Sequence, residues 1–290
     1  MDERAALRIL AERLPAAGDD AAVVDGLVLT TDMLHERADF PSGTTAYTAG
    51  WRTVGASLSD VAAMGAEAVA AVAVYAAPEF DPDELAAFVD GAGEVCEAVG
   101  ARYVGGDLDR HDEFTAVATA LGRTDAPVRR SGASPGERVC VTGTLGRSAA
   151  ALELFEAGEA DRANALFRFE PRVAAGRALA PYASSMMDSS DGLARSLHQL
   201  AEASGCGFAV EADEIPVDDA VQAVAADDAA ALELATAVGE DFELVLTMEA
   251  VDVEAARAAC PVELSAVGTV TESGVTLDGE PLADAGWTHG

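Results

Sequence analysis

The dipeptide Asp25-Gly26, set between the apolar runs Ala21 to Val24 and Leu27 to Thr31, constrains the fold more than any other local feature of this chain. Asp-Gly suits a tight hairpin turn, so the two runs are expected to pair antiparallel. The second run, Val28-Leu29-Thr30-Thr31-Asp32, ends abruptly in two hydroxyls and a carboxylate. The hairpin would hold Asp20 near Thr30, Thr31 and Asp32, making the strand a carrier of oxygen ligands. The alternative is that Asp19 and Asp20 are turn residues bonded to local amides.

Other acidic residues stand at similar places. Residues 44–64 pattern as a helix closed by Gly65, with Val54, Leu58 and Val61 as its buried stripe and Ser57, Asp60 and Met64 along the edge. A buried strand over 68–76 and a helix over 83–99 follow. Arg102-Tyr103-Val104 reads as a short strand ending in Gly105-Gly106-Asp107, which is either an approach for phosphate or metal, or a simple turn. Phe114 to Gly122 is another strand, and the Pro- and Gly-containing stretch 127–136 is the best linker. The implied division is 1–126 and 127–290.

The second half opens with a strand over 139–142, the loop Gly143-Thr144-Leu145-Gly146 and a helix from Ser148, a pattern able to bind an anion through free amides. A Walker A motif is excluded, because all 18 basic residues are Arg and lysine is absent. Met187-Asp188-Ser189-Ser190-Asp191-Gly192 leads into a helix, where its polar residues are either N-caps or presented ligands. Residues 218–237 read as a surface helical region. Gly239-Glu240-Asp241 precedes a strand over 242–247, and a helix over 253–259, a strand over 262–270 and an Asp278-Gly279 hairpin finish the chain. Residues 2–14 read as an opening helix ended by Pro15.

Oxygen-only clusters of this kind suit Mg²⁺, which often bridges to a substrate phosphate. The 51 acidic residues give a net charge of −33, which disfavours nucleic acid and anionic lipid as partners. A hydrophobic fraction of 50% argues for a folded core rather than acidic disorder, and a salt-rich cytoplasm would screen the self-repulsion of a halophilic protein. No signal-peptide pattern opens the chain and no apolar run is long enough to span a bilayer, so a cytoplasmic protein is expected. Cys96, Cys140, Cys206 and Cys260 form no C-x-x-C pair, and the four His show no ligand spacing.

Gly18-Asp19-Asp20-Ala21-Ala22-Val23, Thr30-Thr31-Asp32-Met33-Leu34, Leu58-Ser59-Asp60-Val61-Ala62-Ala63-Met64-Gly65-Ala66, Gly105-Gly106-Asp107, Asp188-Ser189-Ser190-Asp191-Gly192-Leu193 and Gly239-Glu240-Asp241-Phe242-Glu243-Leu244 together resemble the thiamine-monophosphate kinases. That family sits among the aminoimidazole-ribonucleotide synthetase-like ATP enzymes. The resemblance implies an α/β (α+β) protein of two domains. The N-terminal one, which binds metal and ATP and dimerises, carries a mixed sheet with helices and joins its counterpart in a barrel-like sheet across a homodimer. The C-terminal α/β domain completes the active site.

By the same resemblance Asp20, Thr30, Thr31, Asp32, Asp60, Asp107, Asp188 and Asp191 match magnesium-binding positions. Gly106, Asp107, Arg130 and Ser190 match ATP contacts, while Asp39, Glu240 and Trp287 fall at substrate-contacting positions. Asp39 replaces the family's usual His, and either it or His35 serves instead. The implied reaction is Mg²⁺-assisted transfer of the ATP γ-phosphoryl group to thiamine monophosphate, with no separate catalytic base. The alternatives are another ATP-using relative such as aminoimidazole-ribonucleotide synthetase, or a non-catalytic nucleotide- or metal-binding homologue.

Overall fold

The computed structural model describes residue 10, residues 13–14 and residues 17–286. Most of the helix expected over 2–14, and Trp287, lie outside the described residues. Beyond a turn at Gly18, β1 (Ala22–Val24) pairs antiparallel with β2 (Leu27–His35), Val24 opposite Leu27. Asp25 and Gly26 hold φ of 51° and 79°, the left-handed pair such a turn requires. Along β2, Val28, Thr30 and Leu34 are buried on one face, while Leu27, Leu29, Thr31 and Met33 are exposed on the other.

After a short helix, α1 (Glu36–Asp39), comes the 18-residue α2 (Ala46–Ala63). The Thr45 hydroxyl caps it by accepting from Thr48 N at 3.2 Å, and Gly65, at φ 64°, lies just past its end. The expected stripe is buried, but so are Arg52, Ser57 and Ser59, because α2 packs against β2, β3 (Glu67–Ala77) and β5 (Thr115–Arg123) on one side and against the second domain on another. With α3 (Pro82–Ala98) and β4 (Arg102–Arg110), these strands complete a five-stranded sheet of order β1-β2-β5-β3-β4. Only β3 and β4 are parallel.

One expectation is corrected here. The strand at 102 does not end in a turn at Gly105-Gly106-Asp107 but runs through it to Arg110 as an exposed edge strand. Gly106 is demanded by strand pairing, since a Cβ there would lie 1.6 Å from Ala73 O on β3.

Residues 124–137 contain no helix or strand and join the second unit. Its elements are β6 (Arg138–Thr142), α4 (Arg147–Glu156), α5 (Ala160–Phe167), α6 (Val173–Leu179), β7 (Ala183–Asp188), α7 (Leu193–Ser204), β8 (Gly207–Val210), α8 (Asp219–Val224), α9 (Asp228–Ala237), β9 (Leu244–Met248), α10 (Val253–Ala259), β10 (Leu264–Thr271), β11 (Val275–Leu277) and β12 (Glu280–Pro281). The seven strands run β12-β11-β8-β10-β6-β9-β7, with β8 and β11 the parallel pair.

The region 218–237 is not wholly a surface element, because Val221, Ala231 and Ala235 are buried where α8 and α9 pack on α4. The result is a two-domain mixed α/β protein. Both sheets are open within one chain, so among the described residues no barrel closes.

Candidate active site

Three carboxylates from distant parts of the chain meet at the junction of the two units. Asp20 comes from the turn before β1, Asp60 from the last turn of α2 and Asp188 from the end of β7, and each offers an oxygen within 4.8 Å of the others. Their neighbours are oriented by hydroxyls. Thr30 Oγ1 donates to Asp60 Oδ2, Ser57 Oγ to Asp32 Oδ2 at 2.7 Å, and Ser59 Oγ to Asp188 Oδ2 at 2.5 Å. The side chain of Asp20 is fully enclosed and receives Arg130 through Nη2 at 2.9 Å and Nε at 3.2 Å. Asp19 accepts from Arg130 N at 3.0 Å and pairs with Arg129, so neither Asp is tied to the amides of its own turn.

The crowding has an electrostatic consequence. Burial, then the charge of Asp20, pushes Asp188 up to about 8 against the opposing pull of Ser59 and Arg130. Asp60 is held well above the usual carboxylate range by burial and by Asp32, Asp188 and Asp20. Asp32 is raised too, by burial and by Glu240 and Asp20, with Ser57 working the other way. Burial works against the Arg130 charge, yet Asp20 more than offsets it and the guanidinium's pKa is raised.

Carboxylates so placed are relieved by taking up protons or a cation. Ser189 Oγ, one residue after Asp188, is also buried and has no hydrogen-bond partner among the described residues. This hard, all-oxygen donor set fits Mg²⁺, with Asp20, Asp60 and Asp188 as holders and Thr30 and Asp32 beside them.

The remaining sequence-derived residues divide. Thr31 sits on the opposite face of β2, and its hydroxyl donates to Ala118 O at 2.8 Å. Asp107 and Gly106 lie on the exposed edge strand, where Asp107 accepts from Leu108 N at 2.9 Å. These side chains are not brought to the cluster within one chain. Ser190 and Asp191 continue from Asp188, but the N-cap of α7 is Gly192 and makes no side-chain cap bond, so the capping explanation of this polar run is not realised. The anion site expected at the start of α4 is filled by the chain itself: Asp241 accepts from Gly146 N at 2.5 Å and Ser148 N at 2.8 Å. Burial pushes Asp241 up to about 7 against those amides.

A cavity of about 390 Å³ is lined by Asp39, Phe40, Phe167, Val238, Gly239 and Glu240, among others, and reaches Gly286; the charge of its Glu240 is felt at Asp32. Of the two candidates near residue 39, Asp39 lines this cavity, whereas the His35 ring meets Thr115 Oγ1 at 3.0 Å. Asp39 also accepts from His35 N at 2.6 Å, fixing the short α1. A larger groove of about 820 Å³, lined by Glu36, Tyr75 and Phe114, shares Arg37, Phe40 and Pro41 with it but includes neither Asp39 nor Glu240.

Sequence reasoning missed Ser59, Ser189 and Arg52. Ser59 sits directly before Asp60 and Ser189 directly after Asp188, which was the available signal for both. For Arg52 the only signal was a cation inside an otherwise apolar helix.

The chain matches the family model described as AIR synthase related protein, N-terminal domain, over residues 18–124, and the corresponding C-terminal domain over 134–279. It is 63% identical over full length to a thiamine-monophosphate kinase of Halobacterium salinarum, covering 100% of both chains. It is 40% identical to that of Methanospirillum hungatei, covering 100% of this chain and 99% of the other. Among solved structures, one described as AaThiL complexed with AMPPCP and TMP superposes with a TM-score of 0.91 at 27% identity, over 100% of this chain and 97% of the other.

Proposed function

Since the chain belongs to the AIR synthase related family, and within it to the thiamine-monophosphate kinases, we propose that its two adjoining features form one phosphoryl-transfer site, the carboxylate cluster serving ATP and the cavity serving thiamine monophosphate. The protein is an ATP-dependent kinase acting on thiamine monophosphate to give thiamine diphosphate. The observation that carries the assignment of the site is the convergence of Asp20, Asp60 and Asp188, with the cavity holding Asp39 and Glu240 linked to it through Glu240. Glu240 is near enough to Asp32 to raise its pKa, so the two features share one field.

In the reaction a phosphate oxygen of thiamine monophosphate forms a bond to the γ-phosphorus as the bond from that phosphorus to the β-bridging oxygen breaks. The acceptor phosphate is already ionised near neutral pH, so no side chain has to remove a proton. The difficulty is repulsion between two anions, and positioning with charge neutralisation is the remedy. Mg²⁺ bound at the cluster would supply that neutralisation.

The chain's own part is to hold the ligands still: Thr30, Ser57 and Ser59 fix the carboxylates of Asp60, Asp32 and Asp188. Arg130, anchored by Asp20, presents a fixed cation. Asp191 and Thr31 complete the proposed metal set, Ser190 the ATP contacts and Trp287 the substrate contacts.

The homodimer belongs to the same reading. The outer face of the first sheet exposes Leu29, Met33, Val72 and Val104, an apolar face of the kind that a partner covers. β1 pairs only with Leu27 to Leu29, and β4 has a single neighbour, so β4 and the Thr30 to His35 edge can pair across a two-fold and close a barrel. Gly106, Asp107 and Thr31 would then act across that interface. The division into 1–126 and 127–290, a cytoplasmic setting and a salt-rich host are part of this reading, the last supported by the charge of −33 and the Halobacterium relative. No described helix is long and apolar enough to cross a membrane.

The test is incubation of purified protein with labelled ATP, Mg²⁺ and each candidate acceptor. Label is expected in thiamine diphosphate, and Asp32→Asn should abolish turnover with the fold intact. Product from another acceptor alone, or near-normal activity of the variant, would overturn the assignment.

A further inference from the structure

Arg52 is the largest buried side chain in the molecule's fully enclosed set, and nothing in the phosphoryl-transfer scheme above uses it. It projects from α2, two turns before Asp60, and only 1% of it is exposed. Burial lowers the pKa of such a group, and Glu240 opposes this, followed by Asp241 and Asp39.

Its guanidinium lies 3.5 Å from the centroid of the Phe167 ring, with Phe169 and Phe242 at 5.3 and 5.6 Å. Nη1 donates to Phe167 O and Nη2 to Glu240 Oε2. Phe169 and Phe242 are themselves stacked at 4.1 Å, so three rings and a carbonyl leave the guanidinium a single orientation.

Glu240 is the residue that this orientation serves. It carries φ of 72°, and Phe242 carries 55°, conformations that side chains resist unless neighbours enforce them. Glu240 N donates to Ser190 O at 2.7 Å, its own carbonyl accepts from Ser148 Oγ at 2.6 Å, and Asp241 is locked on the start of α4. The backbone is therefore fixed from one side, while the carboxylate, a quarter exposed to the cavity, is fixed among the described residues only by Arg52. Among the described residues Oε1 receives no hydrogen bond, leaving it free to accept from a ligand.

We propose that Arg52 is the positioning residue for substrate recognition: it clamps one oxygen of Glu240 so that the other faces the cavity, and it ties the substrate loop to the helix that carries Asp60. This rests on the reading of Glu240 as a contact to thiamine monophosphate. A guanidinium is suited to the task because its planar fork stacks on a ring and bonds in two directions at once, which an ammonium cannot do.

The experiment is steady-state kinetics on Arg52→Met, Arg52→Lys, Glu240→Gln and the Arg52→Met/Glu240→Gln double variant, with KM for thiamine monophosphate and for ATP measured separately. The expected result is a KM for thiamine monophosphate raised at least tenfold in Arg52→Met, a KM for ATP within about threefold of wild type, and partial recovery in Arg52→Lys. In the Glu240→Gln background, Arg52→Met should add little.

If Glu240→Gln leaves the KM for thiamine monophosphate unchanged, the underlying reading of Glu240 fails. If Glu240→Gln raises it but neither Arg52 variant does, or if both KM values rise together in the Arg52 variants, positioning by Arg52 is refuted while that reading stands. Should Arg52→Met not fold, Arg52→Lys decides: a KM for thiamine monophosphate raised at least threefold with the KM for ATP unmoved supports the proposal, and equal effects on both overturn it.

Discussion

Gly239 marks the place where the substrate loop touches the loop that follows Asp188, and replacing it by Ala tests whether that contact sets the geometry of the reaction. A Cβ built at Gly239 would stand 2.1 Å from Ser190 O and 2.7 and 2.8 Å from two backbone atoms of Asp191. All three are main-chain atoms, so no side chain can rotate away. A carbon and an oxygen settle at roughly 3.3 Å, which requires the two loops to part by about 1 Å. The Glu240 N to Ser190 O bond, now 2.7 Å, would then open to the limit of hydrogen bonding.

Losing that bond costs about 1 kcal/mol and the residual crowding about 1–3 kcal/mol more. The kinetic effect is larger, because about 1 Å of misplacement between reacting groups can lower the rate about 100-fold. The expectation for Gly239→Ala is thus a folded protein, a few kcal/mol less stable by urea unfolding, whose kcat/KM for thiamine monophosphate falls about 100-fold. Gly93→Ala is the control, since Gly93 lies within α3 with open space around it and should gain up to about 1 kcal/mol without kinetic change. A Gly239→Ala enzyme with kcat/KM within threefold of wild type would refute the reasoning.

Asp241 gives the fold a pH dependence of definite sign. Its folded pKa of about 7 exceeds the unfolded value of about 3.9, so the stability it contributes is fully present below about pH 4 and is lost as pH rises through 7. Between pH 5 and 8 wild type should lose about 3 kcal/mol relative to Asp241→Asn, read from urea melts at fixed high salt, and parallel stability curves would contradict it. For the assembly, Met33→Asp on the apolar sheet face should convert a dimer to a monomer by light scattering, whereas Val251→Asp, at the most exposed large apolar residue, should not. Equal masses for the two variants would remove the sheet face from the interface.

What could be read from the sequence divides by how far away the cause lies. Asp25-Gly26 announced its turn and β2 its alternation, because each depends on a backbone conformation or period within a few residues. Asp20, Asp60 and Asp188 stood out as residues of a family pattern, while their meeting is a tertiary event between segments 40 and 128 positions apart. Gly105-Gly106-Asp107 looked like the end of its strand because nothing local shows Ala73 O pressing on Gly106 from the next strand. The loop at Gly143 to Gly146 advertised an anion site correctly, yet its occupant, Asp241, lies 95 positions from Gly146. Arg52 was invisible for the same reason, since an arginine in a helix ordinarily faces water and the residues that enclose it, Phe167 and Glu240 among them, lie 115 and 188 residues on.

One compositional fact gains its meaning only in the structure. An acidic excess of this size needs no explanation on a solvated surface, but several carboxylates inside the molecule are each paired with an arginine: Asp20 with Arg130, Glu240 with Arg52, Glu243 with Arg172, Asp284 with Arg195. Asp32, Asp60 and Asp188 break that pattern. Their hydrogen-bond partners are the hydroxyls of Ser57, Thr30 and Ser59, which orient a carboxylate without cancelling its charge. Three carboxylates close enough to raise one another's pKa, each held by a neutral hydroxyl, concentrate charge at one point. An added cation there would lower the energy of the folded protein and of two approaching phosphates alike.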